Sequence, residues 1–226
     1  EFEKFKNAES SGFDSYWEEM TQKFKDYEKA DREGFEKFKE EILKSWDTFL
    51  SNSRKEFVDY SAGRDTRNYV NFEEGKIKVE VLVDPKLKKE EQEAQIQQKL
   101  TTSISSLINA EDKDNNKFMK GQVEKNGEVI ADPKALAEKI VAKKDYKEEE
   151  MTPKLAEDKE KDKKLKITVE MTLVPNHLEK RAKIYLEHAK SQSEKYDVDL
   201  PVVFAIMQTE SYFNSKARSP IPAYGL

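Results

Sequence analysis

Glu210 is the carboxylate in this chain whose setting invites acid chemistry. It falls in the last turn of the run Val203-Phe204-Ala205-Ile206-Met207-Gln208-Thr209-Glu210-Ser211. Pro201 suits a first helical turn, and Asp199 stands at the cap position. Residues 202–207 are apolar all round, which predicts a buried helix. A carboxylate closing such a helix borders apolar surroundings and meets the partial negative charge of the helix C-terminus. Both effects favour the protonated form, as a general acid requires. A Glu that ends a helix is more often simply solvated, so the residues around it must decide.

Other constellations offer less. Asp112-x-Asp114-x-Asn116 opens like a calcium loop, but Lys117 replaces the required glycine and Val123 stands where the closing glutamate belongs. The only two histidines, His177 and His188, are too far apart to share a helix face as metal ligands. With 7 glycines in the chain there is no glycine-rich phosphate loop, and no spacing suggests a Ser-His-Asp arrangement. No cofactor and no metal are expected.

The segment around Glu210 is more telling. Glu210-Ser211, then Ala217-Arg218-Ser219, then Gly225-Leu226 resembles the catalytic segment of lytic murein transglycosylases with the goose-type-lysozyme fold. In that family a Glu-Ser pair is followed by Ala-x-Ser and then by Gly-Leu-Met-Gln. The spelling Ile221-Pro222-Ala223-Tyr224, with Asp65-Thr66-Arg67-Asn68-Tyr69-Val70-Asn71-Phe72-Glu73 upstream, is similar to the membrane-bound lytic murein transglycosylase C branch. The resemblance runs from about Asp65 to Leu226. It implies Glu210 as the single catalytic acid and base, with Ser211, Ser219, Tyr224, Gly225 and Leu226 lining the substrate. It implies peptidoglycan glycan strands as the partner and a periplasmic location. It also implies an outer-membrane lipid anchor upstream of Glu1. The expected product is a 1,6-anhydro sugar. In that fold further helices complete the groove after Gly-Leu-Met-Gln, so the expectation is an active parent protein and an inactive 226-residue piece. The rival reading is a non-catalytic peptidoglycan-binding or scaffold module of the cell envelope. The exposed apolar helix at 201–211 is expected to form a homodimer or a domain swap.

The elements that must position Glu210 can be read from patterning. Apolar residues recur at steps of mostly three or four from Phe13 through Trp17, Met20, Phe24, Tyr27, Phe35, Phe38, Ile42, Trp46 and Phe49 to Phe57 and Tyr60. That predicts one long amphipathic helix over 1–60, with Asp31 and Ser53 interrupting the stripe. Ser61-Ala62-Gly63 ends it. Residues 61–175 then read as an α+β accessory domain of about five antiparallel strands and two helices. Strands are expected around 69–73, 76–83, 118–123, 129–130 and 165–173, with turns at Glu74-Gly75 and Asn126-Gly127. Asp84-Pro85 and Asp132-Pro133 open the helices. The mixed-charge run 143–164 reads as a solvated excursion. Residues 176–226 read as the first helices of a truncated, all-α, lysozyme-like domain.

Composition sets the outer bounds. The chain has 226 residues, 36% hydrophobic and 38% charged, which is too polar for one compact core and points to extended helix. Lys+Arg 41 against Asp+Glu 46 gives a net charge of −5, and the first sixty residues, with 16 acids and 11 bases, carry that imbalance. No basic face marks a nucleic-acid partner. There is no cysteine, so disulfides and thiolate metal sites are excluded.

Overall fold

A computed structural model of the chain describes residues 2–218, with side chains from Phe13 onward. The fold is α+β: a long N-terminal helix, one antiparallel sheet of seven strands with two helices packed on it, and three C-terminal helices. Among the described residues no helix is long and apolar enough to cross a membrane.

Helix α1 spans Phe2–Leu43 and stops well short of the expected residue 60. Residues 44–55 leave the helix, and Glu56–Tyr60 form strand β1. The helical stripe continued on paper because Phe57 and Tyr60 are three apart, yet both serve the sheet. Phe57 faces the main core and Tyr60 the opposite side. A period of three over two residues does not separate a strand end from a helix turn.

Strands β2 (Thr66–Asn71) and β3 (Lys76–Val83) form the expected hairpin, with Tyr69 opposite Lys78 and Thr66 opposite Val81. Gly75 sits at φ +66° in its turn, a conformation that favours glycine. The helix expected from Asp84 starts later, as α2 over Lys89–Ile108, because Asp84 and Pro85 are spent on a turn. Asp84 Oδ1 accepts from the Lys86 amide there, at 2.9 Å. Strands β4 (Val123–Lys125) and β5 (Glu128–Val129) are joined through Asn126 and Gly127, both at positive φ. Helix α3 (Pro133–Lys143) is capped as expected, with Asp132 Oδ1 accepting from the Lys134 and Ala135 amides.

The mixed-charge run holds an unforeseen strand, β6 (Lys147–Met151), paired along β7 (Lys164–Leu173). Its sequence Lys-Glu-Glu-Glu-Met carries no alternating signal. Charged edge strands resist further pairing, so they read as solvated loops. The strand order is β1-β2-β3-β7-β4-β5, with β6 sharing the far edge of β7. Val79 and Val169 face each other across the central pair, both fully buried.

Helices α2 and α3 cover one face of the sheet, with Ile104 and Leu107 of α2 and Ala137 of α3 sharing a core with Val70, Ile77, Val79 and Ile167 of the strands. The C-terminal end of α1 covers part of the other face, where Ile42, Trp46, Leu82 and Met151 form a second cluster with Phe38, Phe49 and Tyr60. Trp46 anchors it: its Nε1 donates to the Arg64 carbonyl at 2.7 Å, and the Arg67 guanidinium lies 4.3 Å from its ring. Arg67 itself pairs with Glu80 at 2.6 Å, both buried. The segment after Asn176 forms two helices, α4 (His177–Ile184) and α5 (Leu186–Tyr196), broken at Tyr185.

Candidate functional site

Glu210 lies in the last turn of helix α6 (Leu200–Ser211). Pro201 occupies its first turn, and the Asp199 carbonyl accepts from the Val202 and Val203 amides. The helix expected to be buried is not: none of its residues is buried, and Val202 and Ile206 are 48% and 57% exposed. Glu210 therefore does not border an apolar wall. Its side chain is 61% exposed and faces Arg54 Nη1 at 3.5 Å. Ser211, half-buried, donates its hydroxyl to the Met207 carbonyl at 3.0 Å, so the oxygen keeps its acceptor capacity for another group. Ser219, Tyr224, Gly225 and Leu226 lie outside the described residues.

The backbone just beyond Glu210 is firmly held. Tyr212 and Phe213 are consecutive non-glycine residues at φ +52° and +57°. Two left-handed residues in a row cost roughly 1–2 kcal/mol each and persist only where surrounding contacts fix them. Those contacts come from the sheet domain. Asn214, buried, donates its side-chain amide to the Ser53 and Glu56 carbonyls at 3.4 and 3.2 Å. Tyr212 donates its hydroxyl to Glu73 at 3.3 Å, and Lys55 Nζ lies 4.9 Å from the Tyr212 ring. Phe213 is buried against Phe204, their centroids 5.8 Å apart. The loop around Ser53-Arg54-Lys55-Glu56, which patterning passed over as part of a helix, is thus the seat of the Glu210 segment. Its own residues carry no signal for this; Asn214 three places after Ser211, in a run otherwise short of buried polar residues, was the nearest hint.

Arg181 joins the two halves from beneath. It is fully buried, and its guanidinium stacks 4.2 Å from the Phe72 ring. Nε donates to the Tyr212 carbonyl at 3.2 Å, Nη1 to Gln122 Oε1 at 3.1 Å, and Nη2 to His177 Nδ1 at 3.1 Å. No carboxylate among the described residues lies within ion-pair distance of it. Burial pulls its pKa down to about 10, so it stays charged at neutral pH. Above it Tyr185 donates its hydroxyl to Asp112 Oδ2 at 3.2 Å. The Asp112 loop that opened like a calcium site closes on itself, with Asp112 Oδ1 accepting from the Asp114 and Asn116 amides. Among the described residues no group of three His, Cys, Asp or Glu side chains could hold a metal ion.

A guanidinium can only donate, so His177 Nδ1 must accept and the ring proton belongs on Nε2. Burial first, then the Arg181 charge, lower the His177 pKa from 6.5 to about 4. The unfolded chain takes up this proton near pH 6.5 while the folded chain refuses it until about pH 4. Stability from this site is therefore full above pH 6.5 and lost as pH falls toward 4. Discounted for the half-open position of the ring, the loss is about 2 kcal/mol. Denaturant titrations at both pH values should show the chain losing that much more than His177→Gln does.

The comparisons with known proteins fall on these two halves separately. Residues 187–226 match the family model described as the transglycosylase SLT domain, which sets the class for the segment that carries Glu210. Residues 23–184 match the model described as the N-terminal domain of membrane-bound lytic murein transglycosylase C. The chain belongs to the membrane-bound lytic murein transglycosylase C family. Similar proteins bearing that name include those of Salmonella arizonae, 32% identical over 178 residues, and Cronobacter sakazakii, 31% identical over 183 residues. A third, from Yersinia enterocolitica, is 32% identical over 190 residues. In each case the match takes in 76% of this chain and 48% of the relative, so the chain spans about half the length of the curated relatives it matches.

Proposed function

We propose that the protein to which this chain belongs is a peptidoglycan lytic transglycosylase with Glu210 as its acid and base. The observation that carries this is the Glu210-Ser211 pair ending α6 inside the stretch that matches the transglycosylase SLT domain. Glu210 protonates the glycosidic oxygen between N-acetylmuramic acid and N-acetylglucosamine, and the bond from that oxygen to the muramoyl C1 breaks. The substrate's acetamido group stabilises the sugar cation. The muramoyl O6 hydroxyl then closes on C1 and returns its proton to the Glu210 carboxylate. The catalyst is regenerated, and no water is consumed. Ser211 accepts a hydrogen bond from the sugar beside the reacting bond. Ser219, Tyr224, Gly225 and Leu226 line the groove.

The chain divides, on this reading, into an N-terminal arm, an accessory domain and the start of a catalytic domain from about residue 176. The first boundary moves back from 60 to Leu43, because β1 belongs to the sheet. The protein works in the periplasm, held to the outer membrane by a lipid anchor. In the longer protein, further helices cover the α6 face that carries Val202 and Ile206; in the 226-residue chain that face is where a homodimer or a domain swap would form.

Residues 1–226 alone should not cleave the wall, since a 61%-exposed Glu210 has no water-excluding groove among the described residues. The test is release of soluble muropeptides from purified sacculi. The longer protein should release them and the 226-residue chain should not; release by both would overturn the expectation for the short chain. A second reading, wall binding by the accessory domain, is favoured by the polar row Tyr69, Lys78 and Glu170, which runs across three adjacent strands on the partly open sheet face. If it holds, the chain sediments with sacculi and Lys78→Glu weakens this.

A further inference from the structure

Arg54 reaches the Glu210 carboxylate from the sheet domain, in the loop that leads into β1. Its backbone is fixed on both flanks. Ser53 donates its amide to the Glu56 carbonyl at 3.1 Å and its hydroxyl to the Glu56 carboxylate at 2.8 Å. The Lys55 carbonyl accepts from the Phe72 amide at 2.9 Å. The Arg54 carbonyl itself accepts from the Asn214 side chain at 3.5 Å, and the Ser53 carbonyl accepts from the Arg218 amide at 3.3 Å. Arg54 thus touches the Glu210 segment twice, by its backbone at Asn214 and by its guanidinium at Glu210. The side chain is less committed than the backbone. It is 55% exposed, and Nη1 stands 3.5 Å from Glu210 Oε2, an ion pair without a hydrogen bond. Among the described residues Arg32, Arg64, Arg67 and Arg181 each donate side-chain hydrogen bonds to the protein, and Arg54 donates none.

The setting is cationic in an acidic chain. Residues 53–56 and 210–218 hold four bases, Arg54, Lys55, Lys216 and Arg218, against two acids, Glu56 and Glu210. Glu56 is spent on Ser53 and on the Tyr69 hydroxyl, and Lys55 on Glu73. Arg54 has Glu210, and the reaction takes that partner away: a Glu210 that meets the glycosidic bond as a protonated acid offers no counter-charge. An exposed pair of this kind holds weakly in any case. A guanidinium fork binds a carboxylate bidentately, through shorter and stronger bonds. The muramoyl sugar carries a peptide branch with free carboxylates, and its C1 is the atom that Glu210 serves. We propose that Arg54 is a substrate-binding residue of the Glu210 site and takes a carboxylate of that peptide branch. This rests on the transglycosylase reading of Glu210 and adds to it a preference for strands that keep their acidic peptides.

The test uses the longer protein and two soluble, uncross-linked glycan substrates: strands with native peptide branches, and the same strands with their carboxylates converted to amides. The parent should favour the native strands by about tenfold in kcat/KM, with the difference in KM. Arg54→Ala should bring that ratio close to one. Arg54→Lys, a point charge without the fork, should keep part of it. Neither change removes the backbone bonds that hold the loop, so denaturant midpoints should move no more than the loss of an exposed ion pair allows. A parent with no preference between the two substrates would overturn the proposal. So would an Arg54→Ala protein that keeps the tenfold ratio, even if it slows on both, since Arg54 would then act on Glu210 and not on the substrate. If the parent produces anhydro ends from neither substrate, the transglycosylase reading itself fails and takes this inference with it.

Discussion

Glu210→Gln in the longer protein should lower turnover of sacculi by roughly a thousandfold, about 4 kcal/mol of transition-state stabilisation. The amide keeps the shape of the carboxyl and the neutral hydrogen-bonding of the protonated acid, so KM should move little. What it loses is the proton for the leaving oxygen and the base for O6, both of which the proposal places on this one side chain. The backbone after it should not care: Tyr212, Phe213 and Asn214 are held by contacts that do not include the Glu210 carboxylate. Unchanged amide exchange in residues 212–218, beside a lost rate, separates chemistry from folding. Turnover within tenfold of the parent would move the acid to another residue.

Arg181→Ala should cost about 3 kcal/mol of stability. Three donors disappear together, leaving the Tyr212 carbonyl and Gln122 Oε1 without them, and a cavity opens beneath Phe72. The expectation differs for Arg181→Met. Removing a buried charge that has no carboxylate partner relieves desolvation, and the methionine chain refills part of the space, so global stability should fall by only about 1 kcal/mol. Yet both changes remove the hydrogen bond to Tyr212, so both should speed amide exchange across residues 212–214. If Arg181→Met leaves that segment protected, the loop at residues 53–56 holds it alone. Denaturant titration and hydrogen exchange on the same two variants decide between these.

These two residues also mark what the sequence could and could not reveal. The family segment around Glu210 was legible, since residues 187–226 match the transglycosylase SLT domain, while the surroundings of Glu210 were misjudged. An all-apolar helix reads as buried, but burial depends on what else is there to cover it, and α6 keeps Val202 and Ile206 in solvent. Local chemistry was legible wherever it is self-contained. Asn126-Gly127 makes its turn, Asp132-Pro133 caps α3, and the alternation from Leu165 to Leu173 makes β7. Elements that exist only through a neighbour were not. β6 is an edge strand because β7 offers a free edge, and β1 is a strand because β2 pairs with it. Arg181 looks like any charged residue of an amphipathic helix; only the approach of Phe72, Gln122 and Tyr212 from three distant stretches makes it a buried joint.

The most direct measurement is the mass of the sugar ends released from sacculi by the longer protein, run in heavy-oxygen water. A lytic transglycosylase working through Glu210 leaves 1,6-anhydromuramoyl ends, one water lighter than a hydrolysed end and free of solvent oxygen. Ends that carry a full water with the heavy label would mean that water, and not O6, attacks C1, and the proposed mechanism would fall.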